Sequence, residues 1–308
     1  MLILHLIPVG LSLLDQIKQG TLPALQPALA VDGLPDSVDT VAEALRHATG
    51  RNHELDLNHL GLTGVPRTAS AVDTGMAAEW TSVAAIAGER RSGTVDGEAY
   101  VLIATDTDDG LRAATLLAGR YQSTIRYLDE PLTAGRPVLE PGDVYICRIP
   151  HLNLGFVKPD EMTWRSLGAV GRLAADSAGQ TGRGEWEVIV HLSGGYKAMI
   201  PYLMVMAEGV HSRLRDLPPD APHRPSIRAV AIHKSTLPAE SPIVVDTSIR
   251  AIEGDLLTDA RKLAAATPPY SDVVDAGIAE DLLGLFIERV SEKKRRLTPA
   301  GLIMVNVL

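Results

Sequence analysis

Residues 188–203 read VIVHLSGGYKAMIPYL. The stretch opens on an apolar run of strand length, turns through Ser193, Gly194 and Gly195, and continues into a second apolar run long enough for a helix. It predicts a buried strand over Glu187–Leu192 and a helix over Ala198–Leu214, which together make one β-turn-α unit. The same grammar occurs twice upstream. MLILHLIPVG (1–10) predicts a buried strand ended by Gly10, with a short helix Leu11–Lys18 following at once. Ala99–Ala104 predicts another strand, followed by the polar turn TDTDDG (105–110) and a helix from Leu111 to Tyr121.

Working outward, Ser123–Leu128, Asp143–Ile149, Ser226–His233 and Pro242–Asp246 read as further strands, and Pro159–Ala178 as a long helix opened by good first-turn residues. Strands that alternate with helices imply an α/β fold with a mainly parallel sheet flanked by helices. Two segments fall outside the alternation. About 21–97 is punctuated by Pro23, Pro27, Pro35 and Pro66 and reads as a helical insertion, with helices at Ser37–His47, capped by Ser37, and at Gly75–Arg90. After a first domain over 1–250, residues 251–308 read as a small helical or winged-helix appendage. It has helices Asp255–Ala266 and Ala276–Val290, the basic run EKKRR (292–296) and the apolar tail LTPAGLIMVNVL.

Composition narrows the function classes. Hydrophobic residues make up 45% and charged residues 22%, ordinary for a globular chain, while aromatic residues are only 4%. The core must therefore be aliphatic, as suits a sheet covered on both faces. A single cysteine, Cys147, excludes an internal disulfide framework and a multi-cysteine zinc site and fits a reducing compartment. The apolar start lacks a basic flank and a cleavage site and is too short to span a bilayer, so a cytoplasmic location without membrane association is expected. A net charge of −9 argues against broad binding to duplex DNA and leaves room for a local anion pocket.

Three turns gather small and hydroxyl residues at the carboxyl ends of predicted strands: Gly10, Leu11 and Ser12; Thr105, Asp106 and Thr107; and Ser193, Gly194, Gly195, Tyr196 and Lys197. That edge of a parallel sheet is where ligands bind, because helix N-termini there present N–H groups and partial positive charge to an anion. SGGYK is the sharpest of the three. Its glycines permit close approach of the backbone to a phosphate, and Lys197 supplies full charge without a metal. It is not a Walker A loop, since the spacing and the hydroxyl after the lysine are missing, and there is no GxGxxG after the first strand. Plain structural readings stand beside these: a tight turn and a solvated lysine at 193–197, a capping hydroxyl at Ser12, and a turn and N-cap cluster at Thr105–Asp109. His53 and His59 near Glu54 and Asp56 lack compact metal-ligand spacing, and Arg228 and His233 would point to opposite faces of a strand.

Taken together the turns resemble the CARF family, the CRISPR-associated Rossmann-fold sensors, in the branch of ring nucleases and ribonuclease sensors. The resemblance runs in order through PVGLSLL (8–14), AAEWTSVAAI (77–86), ATDTDDGLRAATLL (104–117) and VIVHLSGGYKAMIPYL, reaching to about residue 235. The family usually has N-x-T-G-G-[FY]-K at the last turn, where this chain has His191-Leu192-Ser193, and Leu11 replaces a common threonine. The resemblance implies a Rossmann-like domain and a homodimer that binds one cyclic oligoadenylate, of four or six adenosines, across its two-fold axis. It also implies catalytic roles for Ser12 and Lys197 in metal-independent ring cleavage, with no cofactor. Longer relatives carry a HEPN ribonuclease with an R-x4-6-H motif, whereas residues 234–308 contain no histidine. RRLTPAGL resembles the end of a winged helix, as behind CARF domains in short ring nucleases and regulators, which implies a nucleic acid or effector partner for the C-terminal region. A generic apolar tail docking on the sheet is the alternative.

Overall fold

A computed structural model describes residues 1–11, 14–15, 40–56, 78–90, 97–119, 124–131, 138–152, 159–180, 185–195, 197–217, 224–233, 243–265, 284–289 and 295–308. Strands β1 (Leu2–Pro8), β2 (Glu98–Thr105), β3 (Ile125–Leu128), β4 (Val144–Ile149), β5 (Trp186–His191), β6 (Ser226–His233) and β7 (Ile243–Thr247) form one sheet in the order β3-β4-β2-β1-β5-β6-β7. All neighbours run parallel except β7, an antiparallel edge strand against β6. The fold is a Rossmann-like α/β arrangement. In the sheet centre, Leu4 of β1 sits opposite Ala99 on one side and Val188 on the other.

The four central strands are buried along nearly their whole length, β4 and β5 at every position and β1 and β2 at all but the first. This follows from helices on both faces, which leave no polar side to alternate with. One face is covered by α1 (Val41–Ala48), α2 (Ala78–Arg90) and α3 (Asp108–Ala118), packed on Ile3, Ile7, Tyr100, Leu102 and Ala104. The other carries α4 (Glu161–Ala178) and α5 (Ile200–Arg215), over Leu4, Leu6, Val101 and Ile103. Asp160 starts α4 in a capping box with Thr163.

The C-terminal residues add α6 (Gly254–Ala265), the antiparallel pair β8 (Ile287–Arg289) and β9 (Arg295–Leu297), and α7 (Pro299–Val307). The apolar tail is therefore a helix, and its Leu302, Ile303, Met304 and Val307 join the same cluster as α4 and α5. Contact is close because Gly168 has no side chain; a Cβ there would stand 2.4 Å from the Ile303 carbonyl oxygen.

Three expectations change. The helix expected over Ala276–Val290 is contradicted at its end, where Ile287–Arg289 is a strand; Phe286 and Ile287 are buried, and the pairing with Arg295–Leu297 overrides the short helical pattern. Residues 276–283 lie outside the described set. The helix expected from Ser37 begins at Val41, where the Thr40 hydroxyl accepts from the Glu43 amide and Asp108 Oδ1 accepts from the Val41 amide at 3.0 Å. Between the SGGYK turn and α5 stands a 3-10 turn, Lys197–Met199, in place of the first helical turn. Among the described residues no helix is long and apolar enough to cross a membrane, and no group of three or more His, Cys, Asp or Glu could hold a metal ion.

Candidate functional site

From β1 the chain moves outward through β2 to β3 and β4, then returns across the sheet to β5 on the far side of β1. The carboxyl ends of β1 and β5 therefore flank the point where the strand order reverses, the crevice in which doubly wound sheets bind ligands. Gly10 follows β1 and Ser193–Gly195 follow β5, so two of the three expected turns meet there.

What joins them is a carboxylate from α2. Glu79 Oε1 accepts from the Gly10 amide at 2.8 Å and from the Gly195 amide at 3.3 Å, and the residue is 2% exposed. Gly195 takes φ +73°, and a Cβ on Gly194 would fall 2.5 Å from the Pro8 carbonyl oxygen and 2.8 Å from Glu79 Cγ. The glycines are thus required for the turns to pack on each other and on Glu79. The Ser193 hydroxyl accepts from the Ile232 amide and ties the turn to β6. Leu11 is half-buried against the α1 and α3 core. Lys197 is exposed at the start of the 3-10 turn and has no ion pair among the described residues. Ser12 and Tyr196 lie outside the described residues.

Behind this crevice runs a buried polar line. Ser82, one turn after Glu79, donates to the Glu79 carbonyl at 2.8 Å, which leaves its oxygen to accept from His191 Nδ1, also at 2.8 Å. His191 Nε2 then accepts from His5 Nδ1 at 2.9 Å. Burial pushes His191 down to about 3, so the ring is neutral. Position 191, where the resembled family has asparagine, is a fastener inside the sheet joining β5, β1 and α2, with no exposure at all.

The third turn is wired separately. Thr107 caps α3 by accepting from the Gly110 amide at 3.0 Å, and its hydroxyl meets that of buried Thr105 at 3.0 Å. Asp106 Oδ1 accepts from Arg148 at 2.7 Å, and Oδ2 from the His151 amide at 2.8 Å. Arg148 also donates to Asp129 at 2.7 Å, and Asp129 accepts from Tyr127 and Arg46. Burial alone would raise the Asp129 carboxyl, but these donors hold it below the usual carboxylate range. Asp106 and Asp108 of TDTDDG are thereby matched, the first by Arg148 and the His151 amide and the second by the Val41 amide.

Glu79, Arg148, Asp129 and the His5–His191–Ser82 line escaped the sequence reading. The one signal for Glu79 was an acid in the otherwise small and apolar segment AAEWTSVAAI. Compared with known proteins, the chain matches no family model, and no curated protein matches it.

Proposed function

We propose that the carboxyl edge of this sheet binds a cyclic oligoadenylate, across a homodimer, and cleaves it without a metal. The observation that carries the reading is the exposed Lys197 beside two glycine turns that converge at the reversal point of the sheet. The resemblance of the same turns to CARF domains supplies the ligand class. In this reading Glu79 satisfies the innermost amides, so a ligand phosphate meets Lys197 further out, where a lysine stabilises the charge of the pentacoordinate phosphorane. Ser12 orients the phosphate, and the adjacent 2′-hydroxyl attacks it, leaving a 2′,3′-cyclic phosphate.

One observation favours a second reading, sensing without cleavage. Lys197 leads directly into α5, and α5 packs against α7, so a ligand held at the turn bears on the C-terminal segment through a single helix. A nucleic acid or protein effector would then read the bound state. Incubation with cyclic tetra- and hexa-adenylate, without added metal, followed by chromatography, separates the two. Linear products with 2′,3′-cyclic phosphate ends establish cleavage; a ring recovered intact with the dimer establishes sensing; a result showing neither cleavage nor binding overturns the ligand assignment.

A further inference from the structure

Beyond the carboxyl end of β4 the chain makes a tight corner at Pro150, His151 and Leu152, and each residue of the corner is pinned. Thr163 donates to the Pro150 carbonyl at 2.9 Å, Asp106 Oδ2 accepts from the His151 amide at 2.8 Å, and the Asp106 amide donates to the Leu152 carbonyl at 2.8 Å. These bonds hold His151 at φ +60°, a left-handed conformation that is uncommon outside glycine, although histidine, asparagine and aspartate enter it more often than other side chains and Asn52 and His53 do so here too. A strained residue fixed from several sides is a known mark of a functional position.

The ring is oriented as well. His151 Nδ1 lies 2.5 Å from Asp160 Oδ2, and Asp160 is itself fixed as the N-cap of α4, its other oxygen accepting from the Thr163 amide at 3.1 Å. Partial burial would raise the Asp160 carboxyl, and the bonds from His151 and Thr163 outweigh it, holding the group below the usual range. With the Nδ1 proton directed at Asp160, Nε2 carries the lone pair. It has no partner among the described residues, and the side chain is 56% exposed.

We infer that His151 is a general base of this edge, positioned by Asp160, and that it takes the proton of a ribose 2′-hydroxyl. The inference rests on the proposed ligand. In the step, the 2′-hydroxyl proton moves to His151 Nε2, the 2′-oxygen bonds to the adjacent phosphorus, and the bond from phosphorus to the 5′-oxygen breaks. The departing 5′-oxygen takes a proton from the imidazolium, which restores the neutral ring and leaves a 2′,3′-cyclic phosphate and a 5′-hydroxyl. The carboxyl ends of β4 and β1 are two strand spacings apart, about 10 Å, a distance a cyclic oligonucleotide covers.

The test uses the full chain with cyclic tetra- and hexa-adenylate. His151→Gly keeps the backbone amide and accepts the positive φ without strain, and Asp160→Asn keeps a good N-cap. His151→Gly is expected to cut the cleavage rate on the order of 100-fold or more, leave ring affinity unchanged, and recover rate when imidazole is added. Asp160→Asn is expected to lower the rate by a smaller factor at unchanged affinity. Wild-type rate in His151→Gly, or a lost rate that imidazole does not restore, overturns the role of His151 and leaves the ligand reading intact. A wild-type protein that binds a ring without cutting it overturns the role while keeping sensing; one that binds neither ring overturns both.

Discussion

Two regions lie side by side at one edge of the sheet and are held by opposite means. The β1 and β5 turns carry no charge of their own beyond Lys197; their glycine amides converge on one buried carboxylate, Glu79, delivered from α2. The β2 turn is a knot of ion pairs in which Arg148 joins Asp106 to Asp129. In the first, a single acid sets the spacing between two strands' turns, and the lysine stays outward. In the second, Asp106, Asp129 and Arg148 are partnered with one another. Small and hydroxyl residues at this carboxyl edge are therefore first of all fasteners, and Lys197 is the exposed group to which the proposed ligand is assigned.

The largest expected effect breaks the second region. Arg148→Ala leaves Asp106 and Asp129 facing each other, both only partly exposed, and should cost about 3 kcal/mol in chemical denaturation. Glu79→Ala breaks the first region. Two half-buried amides lose their acceptor, for a loss of about 2 kcal/mol and faster amide exchange at Gly10 and Gly195; Glu79→Gln, which retains Oε1, should lose much less and keep the exchange protection.

The third prediction concerns the polar line beneath Glu79. His191 binds its proton at about 3 in the folded chain and near its ordinary value of 6.5 when unfolded, so the unfolded state takes up a proton first as pH falls. Stability should therefore decline from pH 6.5 toward 3 through this group. His191→Asn should flatten that decline by about one proton of slope. An unchanged slope in denaturation midpoints against pH would mean that His191 is not a buried neutral ring.

The strands were legible because a sheet covered on both faces needs continuous apolar runs, and β1, β2, β4 and β5 each have one. Their order was not written in any local pattern. Ile287–Arg289 was misread as helix because a short apolar run has no decisive period, and its pairing with Arg295–Leu297 is what makes it a strand. At the edge, glycines and Lys197 stood out locally, whereas Glu79 meets Gly10 and Gly195 across 69 and 116 positions, and His191 meets His5 across 186. Partners that far apart leave no spacing to read.

The smallest expected effect on stability accompanies the most direct test of the site. Lys197 is exposed, so Lys197→Ala should leave the unfolding midpoint within about 0.5 kcal/mol of wild type. Binding of cyclic tetra- and hexa-adenylate, measured by calorimetry on both proteins, should show a ring held by wild type and lost or markedly weakened in the variant. Equal affinity in the two proteins, or no binding of either ring to wild type, would contradict the assignment of this edge as the ligand site.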